Sequence, residues 1–365
     1  MKLLKPDIRN HGWGRMQLIF IFLLFTIGSG CKKESGHRFP LAEEFNINET
    51  QLIEAFDEMQ NVNGSISLIV SRSGVIVAEE YYNYNGYGAD SIKNVMSVTK
   101  SFTGVLIGLA IEKGFIGSVH DSIFTYLDGV VDFPDNTRKN ITIDQLLKMS
   151  AGHIWNGTSP ESIFSDWMQS DNQLQYIIDL PLAFDPGTEF NYSDGASHLL
   201  SVIITEATGQ NTLDFAIGNL FNPLDINDYE WVKDPDGYPY GPANLRILPR
   251  DMVKFGNLIL NQGMYEGKQI VPSSWINEMT TTKISFAHNV GYSSEYGYQI
   301  WIGYSGGHKH IMAMGWGGQF IMIVPDNELV VTATCWTSGI TWEQAGENWS
   351  SIIDIIVNKI FPAVY

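Results

Sequence analysis

Asn94-Val-Met-Ser-Val-Thr-Lys-Ser-Phe-Thr-Gly104 is the stretch on which the reading of the chain turns. Ser97 and Lys100 stand three positions apart, so in the first turn of a helix their side chains share one side and the amine reaches the hydroxyl. The positive end of the helix dipole disfavours an ammonium there, which predicts a lowered Lys100 pKa, and the free N–H groups of the turn, that of Ser97 included, suit an oxyanion. Beyond Ser97, Phe102, Val105, Leu106 and Leu109 recur at helical spacing, with Ile107 and Ile111 widening the apolar surface. Gly104 and Gly108 permit close backbone approach and Gly114 suits a stop, so the stretch predicts a buried helix. A bare S-x-x-K carries little, since it recurs at Ser29…Lys32 and fits a helix cap beside a solvated charge. Its context has to decide.

Upstream, Lys2, Lys5, Arg9 and Arg15 precede a ten-residue, mostly apolar run from Leu18 to Ile27, which ends in Gly28-Ser29-Gly30-Cys31. A basic segment, a short apolar one and small residues spell an export signal over residues 1–30, and the run is shorter than the ~20 residues that span a bilayer. Cys31 after small residues resembles a bacterial lipobox, with Gly28 where Leu is usual. The expectation is a lipoprotein acylated at Cys31 and facing the periplasm or cell surface; the alternative is an ordinary signal followed by an incidental Cys. Residues 31–47 read as a tether, and the domain is expected over residues 48–365. Leu52, Ile53, Phe56 and Met59 mark a helix face, followed by strands Ser65–Ser71 and Val75–Tyr82 around a Ser-Arg-Ser-Gly hairpin.

Net charge is −18 with a pI near 4.7, which makes nucleic acid and anionic membrane surfaces poor partners for the body of the protein. Residues 117–283 read as mainly helical: Thr142-x-x-Gln145 is a capping box, and helices are expected over about 196–208 and 249–262, each ending at a Gly. Residues 284–365 turn to strands, Tyr298–Tyr304, Ile311–Met314, Gln319–Val324 and Leu329–Cys335, closed by a helix from Trp342 to about Phe361. The fold class is therefore α+β: an antiparallel sheet built from both termini (about 48–116 and 284–365) with an inserted mainly helical lobe (about 117–283).

Two further stretches suit chemistry beside Ser97. Tyr192-Ser193-Asp194 lies in a Gly-rich loop ahead of a helix, where a phenol held near Lys100 becomes a proton shuttle. Gly315-Trp316-Gly317-Gly318-Gln319 opens a strand, where small residues admit a substrate along the strand edge and the Gln319 N–H supplies a second oxyanion donor. A packed aromatic and a plain hairpin explain either one taken singly.

Taken together and in this order, Ser97-Val-Thr-Lys100, Tyr192-Ser-Asp194 and Trp316-Gly317-Gly318 resemble the S-x-x-K, Y-x-N and K-T-G elements of the serine β-lactamase and penicillin-binding-protein superfamily. The chain is most like its class C-like branch of esterases and 6-aminohexanoate-dimer hydrolases. Leu146-Leu-Lys-Met-Ser-Ala-Gly152, Pro186-Gly-Thr and Leu248-Pro-Arg-Asp-Met-Val-Lys-Phe-Gly256 add to the likeness, which runs from about Asn48 to the C-terminus. It implies that Ser97 is acylated, that Lys100 takes its proton, that Tyr192 shuttles a proton to the leaving group, and that the N–H groups of Ser97 and Gln319 bind the oxyanion, with no cofactor and no metal. Two departures bear on substrate and base. Trp316 replaces the K-T-G lysine that holds a carboxylate, which points to esters or amides and to weak β-lactam cleavage. Asp194 replaces Asn, and if it faces inward it raises the Lys100 pKa and moves the base role toward Tyr192.

Gly303-Tyr-Ser305-Gly-Gly307 with His308 and His310 matches a nucleophile elbow, but that motif needs a helix after the serine, and here the chain returns to strand. His308-x-His310 has no third ligand at metal spacing. His153 and His198 read as packed or capping residues. The expectation is an exported serine hydrolase acting on a small ester or amide. The alternative is a membrane-tethered ligand-binding or sensor module on the same fold.

Overall fold

The computed structural model describes residues 37–157 and 162–365; the expected export signal, Cys31 and the first part of the tether lie outside them. Eight strands form one antiparallel sheet: β1 (Ser65–Arg72), β2 (Val75–Tyr81), β3 (Ile284–Val290), β4 (Ser293–Tyr296), β5 (Trp301–Ser305), β6 (His308–Gly315), β7 (Gln319–Val324) and β8 (Leu329–Cys335). Their spatial order is β2-β1-β8-β7-β6-β5-β4-β3. The N-terminal hairpin joins the C-terminal strands where β1 pairs with β8, Leu68 opposite Ala333. Every residue of β7 and β8 is buried, as expected of strands covered on both faces.

The helices that matter for the site are α1 (Glu49–Met59), α2 (Thr99–Glu112), α3 (Asp194–Thr208), α4 (Pro249–Leu260), α5 (Ser273–Met279) and α6 (Trp342–Ile355). Adjacent strand residues point to opposite faces: Phe320 meets Trp349 of α6, while Ile321 and Val330 lie against Gly256 of α4. The sheet is thus a middle layer. α2 is buried from Thr99 to Ala110, with Phe102 stacked on Phe255 of α4 at 3.7 Å and Gly108 so close to α5 that a Cβ there would lie 2.2 Å from the Trp275 ring. The α3 helix opens with the Ser193 side chain capping Ala196 N–H and ends at Gly209 in the left-handed region, and the Thr142/Gln145 capping box is present.

Three expectations need correction. The tether was expected to run to residue 47, yet Phe39, Ala42 and Ile47 are buried. Phe39 packs on Phe56 at 4.4 Å and its N–H is bound by Glu49, so the folded body begins before Asn48. Helix α4, expected in the helical lobe, covers the sheet instead, because its Phe255 and Gly256 face α2 and the strands. The strand expected from Tyr298 starts at Trp301. Gln299 sits at φ +58; its carbonyl accepts from the Ser101 hydroxyl of α2, and its amide bonds the Leu146 and Leu147 carbonyls while accepting from Ser197, which ties α2, α3 and the Leu146 segment together instead of extending β5.

Candidate active site

Ser97 lies in a 3₁₀ turn, Met96–Val98, that runs into α2. The turn is pinned from both sides: Met96, held at φ +51, has its N–H bound by the Asn94 side chain, and the Thr99 hydroxyl donates to the Met96 carbonyl. A non-glycine residue in that region is strained, so the backbone at the hydroxyl is held by its neighbours. The turn packs on β6 and β7. Gly315, at the end of β6, approaches so closely that a Cβ there would lie 2.6 Å from the Val95 carbonyl oxygen.

Lys100, 1% exposed, donates from Nζ to Ser97 Oγ at 3.1 Å, to Asp194 Oδ1 at 2.5 Å and to the Pro242 carbonyl at 3.1 Å. Three acceptors for three N–H donors describe an ammonium. Burial pushes its pKa down, but the Asp194 carboxylate and the Tyr192 phenol outweigh that and leave it raised. The expectation of a lowered Lys100 pKa is therefore overturned: Asp194 faces inward, and its charge acts against a free-amine base. Asp194 is also the first residue of α3, where the helix dipole favours a carboxylate.

Tyr192 reaches the site from the loop ahead of α3. That loop is fastened to the Leu146–Gly152 segment through Asn191 N–H to the Met149 carbonyl at 2.7 Å, Gly187 N–H to the Ser150 carbonyl at 2.7 Å and the Asn191 side chain to the His153 carbonyl. The Tyr192 ring stacks on Trp301 at 5.3 Å, and Lys100 Nζ lies 4.8 Å from its centroid.

Ser97, Tyr192 and Asp194 open on a cleft of about 360 Å³. Its walls are Trp155, Trp301, Trp316, Trp342 and Trp349, with Gly157, Val290, Met314 and Gly315. Trp316 packs edge-on to Trp342 at 5.1 Å, and its buried indole N–H has no acceptor. Gly317 and Gly318 follow at φ +74 and +100, and the Gly318 N–H closes the turn on the Gly315 carbonyl. Gln319 pairs with Gly315 at the start of β7. Its side chain is turned away from the cleft, bonded to Cys335 through both amide atoms, so Gln319 can serve the site only through its backbone.

The competing constellation does not form a triad, although Ser305 pairs with His308 across the β5–β6 hairpin and His308 Nδ1 lies 3.6 Å from Asp326. Ser305 ends β5 and is followed by a glycine turn into β6, with no hydrogen-bonded base. His310 is buried beside Phe361, and His198 is buried against Asp234 at 2.9 Å. Among the described residues no group of three or more His, Cys, Asp or Glu is placed to hold a metal ion. A larger hollow of about 590 Å³ lies at the far end of α2, around Glu112 and Lys113; neither of its serines, Ser273 or Ser274, is hydrogen-bonded to a base among the described residues. The sequence reading missed Trp301, Trp342, Trp349 and the Pro242 carbonyl, and the one hint available was the count of 10 Trp.

A serine and a lysine at a helix mouth, faced by a tyrosine loop and the glycine turn between β6 and β7, are set on the β-lactamase/transpeptidase-like fold. The β-lactamase family model matches residues 50–349, and the chain belongs to that family. It is 25% identical over 237 residues to the 6-aminohexanoate-dimer hydrolase of Paenarthrobacter ureafaciens, which covers 58% of this chain and 56% of that protein; the match thus spans little more than half of that relative's length. Among solved structures, one described as a 6-aminohexanoate-dimer hydrolase from Bacillus anthracis superposes with a TM-score of 0.69 at 21% identity, covering 84% of this chain and 82% of that one. The D-amino acid amidase of Ochrobactrum anthropi superposes at 0.65 and 16% identity, covering 85% and 98%. The family and the curated relative support a hydrolase, and the two solved structures show the fold.

Proposed function

We propose that the protein is a serine hydrolase that cleaves ester or amide bonds through an acyl-enzyme on Ser97. The observation that carries this reading is the 3.1 Å hydrogen bond from Lys100 Nζ to Ser97 Oγ at the floor of the tryptophan cleft. Ser97 Oγ attacks the carbonyl carbon while its proton passes to the oxygen of Tyr192, the general base of this reading, beside the Lys100 ammonium. The N–H groups of Ser97 and Gln319 receive the oxyanion, a contribution of about 3 kcal/mol per donor. Tyr192 then protonates the leaving oxygen or nitrogen as its bond to carbon breaks. Water repeats the sequence against the acyl-enzyme and restores Ser97. Lys100 stays charged throughout and offsets the negative charge that develops around it.

The substrate class follows from the walls. Among the described residues Asp194 is the one charged residue lining the cleft, and Lys100 neutralises it, so the site suits uncharged acyl groups that cover tryptophan faces. A β-lactam carboxylate finds Trp316 where the family's cation stands. A panel of chromogenic esters, short amides and nitrocefin tests this: ester cleavage is expected to exceed nitrocefin cleavage, with both lost in Ser97→Ala. The reverse ranking contradicts the argument from Trp316, and an inert wild-type protein that still binds such compounds favours the sensor-module reading. We also propose export and anchoring through Cys31, supported by the basic and apolar segments before it. Metabolic palmitate labelling lost in Cys31→Ala is the expected result, and an unlabelled wild-type chain contradicts it.

A further inference from the structure

A second buried lysine stands behind the turn that carries Ser97. Lys93 lies on a two-residue strand paired with Ile247 and Arg246 and is 6% exposed. Its ammonium sits 4.2 Å from the Trp336 ring centroid and 4.4 Å from that of Tyr87. Ring faces attract a cation but offer no strong acceptor to its three N–H donors. Among the described residues, Lys93 Nζ has neither a carboxylate at ion-pair distance nor a hydrogen-bond acceptor. Cys335, which interacts with it, supplies no counter-charge, because burial pushes that thiol up to about 12. Arg246 already pairs with Glu230 at 2.8 Å. One positive charge is left over in a protein of net charge −18, and burial pushes its pKa down to about 8.

The lysine faces a cavity of about 350 Å³ whose wall also carries Asn94, Arg246, Thr337 and Ser338. That volume is within the range of small-ligand sites, and the two hydroxyls add donors to the ammonium. We propose that this cavity binds a small monocarboxylate, with its oxygens on Lys93 Nζ and its carbon chain against the wall formed by the packed Tyr87 and Trp336 rings. A single charge is inferred because a single cation is uncompensated; a dianion would bring a second negative charge with nothing to meet it. Met96 lines the same cavity one residue before Ser97, and Thr337 lies against the position of Gly317. An occupant therefore touches the nucleophile turn at Met96 and reaches the glycine turn only through Thr337. The carboxylate arrives either as a free molecule or as the distal end of a substrate. The inference stands on Lys93 and its surroundings and does not depend on the reading of Ser97.

The full chain is titrated at constant ionic strength with sodium acetate, acetamide and inorganic phosphate, following tryptophan fluorescence and heat. Acetate is expected to saturate and acetamide to give no response, with acetate binding at least ~10-fold weaker in Lys93→Met, as loss of a charged hydrogen-bond donor implies. Circular dichroism and the thermal melt show whether the variant is folded, and Trp336→Phe is expected to lose the fluorescence change while keeping the heat. Kinetics with a half-ester p-nitrophenyl succinate and its methyl ester separate the two sources. If Lys93→Met slows only the acid, the carboxylate belongs to the substrate; if acetate changes hydrolysis of the methyl ester in wild type and not in the variant, it arrives free. No saturable acetate response, an unchanged one in Lys93→Met, or tighter binding of phosphate than of acetate overturns the proposal.

Discussion

Lys93 and Lys100 lie seven positions apart on either side of one turn, both almost wholly buried, and they end in opposite electrostatic states. Burial works against the ammonium in each. Lys100 has a carboxylate at 2.5 Å and is left with a raised pKa; Lys93 has two aromatic rings and falls to about 8. The charge of a buried lysine is thus set by its partner and not by its depth. One lysine is fixed as part of a nucleophile's surroundings, while the other is left with a charge that a ligand can neutralise.

The same substitution at the two lysines tests the contrast most severely. Lys100→Met strands the Asp194 carboxylate beside Ser97. It is expected to lower kcat/KM for esters by ~10³-fold and to destabilise the fold by about 3–5 kcal/mol, read by ester turnover and urea denaturation; unchanged stability would break the comparison. Asp194→Asn comes next. With the neighbouring charge gone, Lys100 is no longer raised, so the ionisation that governs kcat/KM moves to lower pH, with a loss of ~10-fold at neutral pH. A pH–rate profile that stays in place would disconnect the pair from the reaction.

Placing a lysine in the cleft sharpens the point. Trp316→Lys restores the cation the family uses and is expected to raise nitrocefin cleavage several-fold while lowering ester cleavage, each within ~10-fold. The smallest effect belongs to Lys93→Met, which leaves neutral-ester turnover within ~2-fold and stabilises the protein at neutral pH by about 1 kcal/mol, since it removes a buried cation without a carboxylate. The full shift implies more, but the amine faces an open cavity that eases its charge. The pH window gives the sign. From about 8 to its ordinary 10.5 the native lysine holds fewer protons than the unfolded one, so wild-type stability rises with pH across that window and the variant lacks the rise. Lys100, raised in the native state, adds stability that is complete below 10.5 and is lost as pH climbs through its folded value.

The parts of the molecule legible in the sequence were those set by short-range geometry. The periodicity from Phe102 to Leu109 specifies a buried helix, and a three-residue spacing brings Lys100 to Ser97 in whatever fold contains that helix. That both ends of the chain share one antiparallel sheet was legible because strand patterns stand at both ends with helices between them, while the strand order was not read. Asp194 was the point where local reasoning stopped: it opens α3, and whether it faces Lys100 depends on how α3 packs, which the residues around it do not encode. Phe39, Ala42 and Ile47 follow neither a helical nor a strand period, so their burial on the body was not visible. Four of the five cleft tryptophans fall on β5, the β6–β7 turn and α6, and no local pattern joins them to Trp155. Lys93 was silent for the same reason, because Trp336 reaches it from more than 240 positions away.

The claim on which the account rests is that Ser97 is the nucleophile. Intact-protein mass spectrometry after exposure to a fluorophosphonate probe, with Ser97→Ala alongside, tests it directly. One added phosphonyl group on the wild-type chain and none on the variant is the predicted result; an unmodified wild-type protein, or equal labelling of the two, contradicts it.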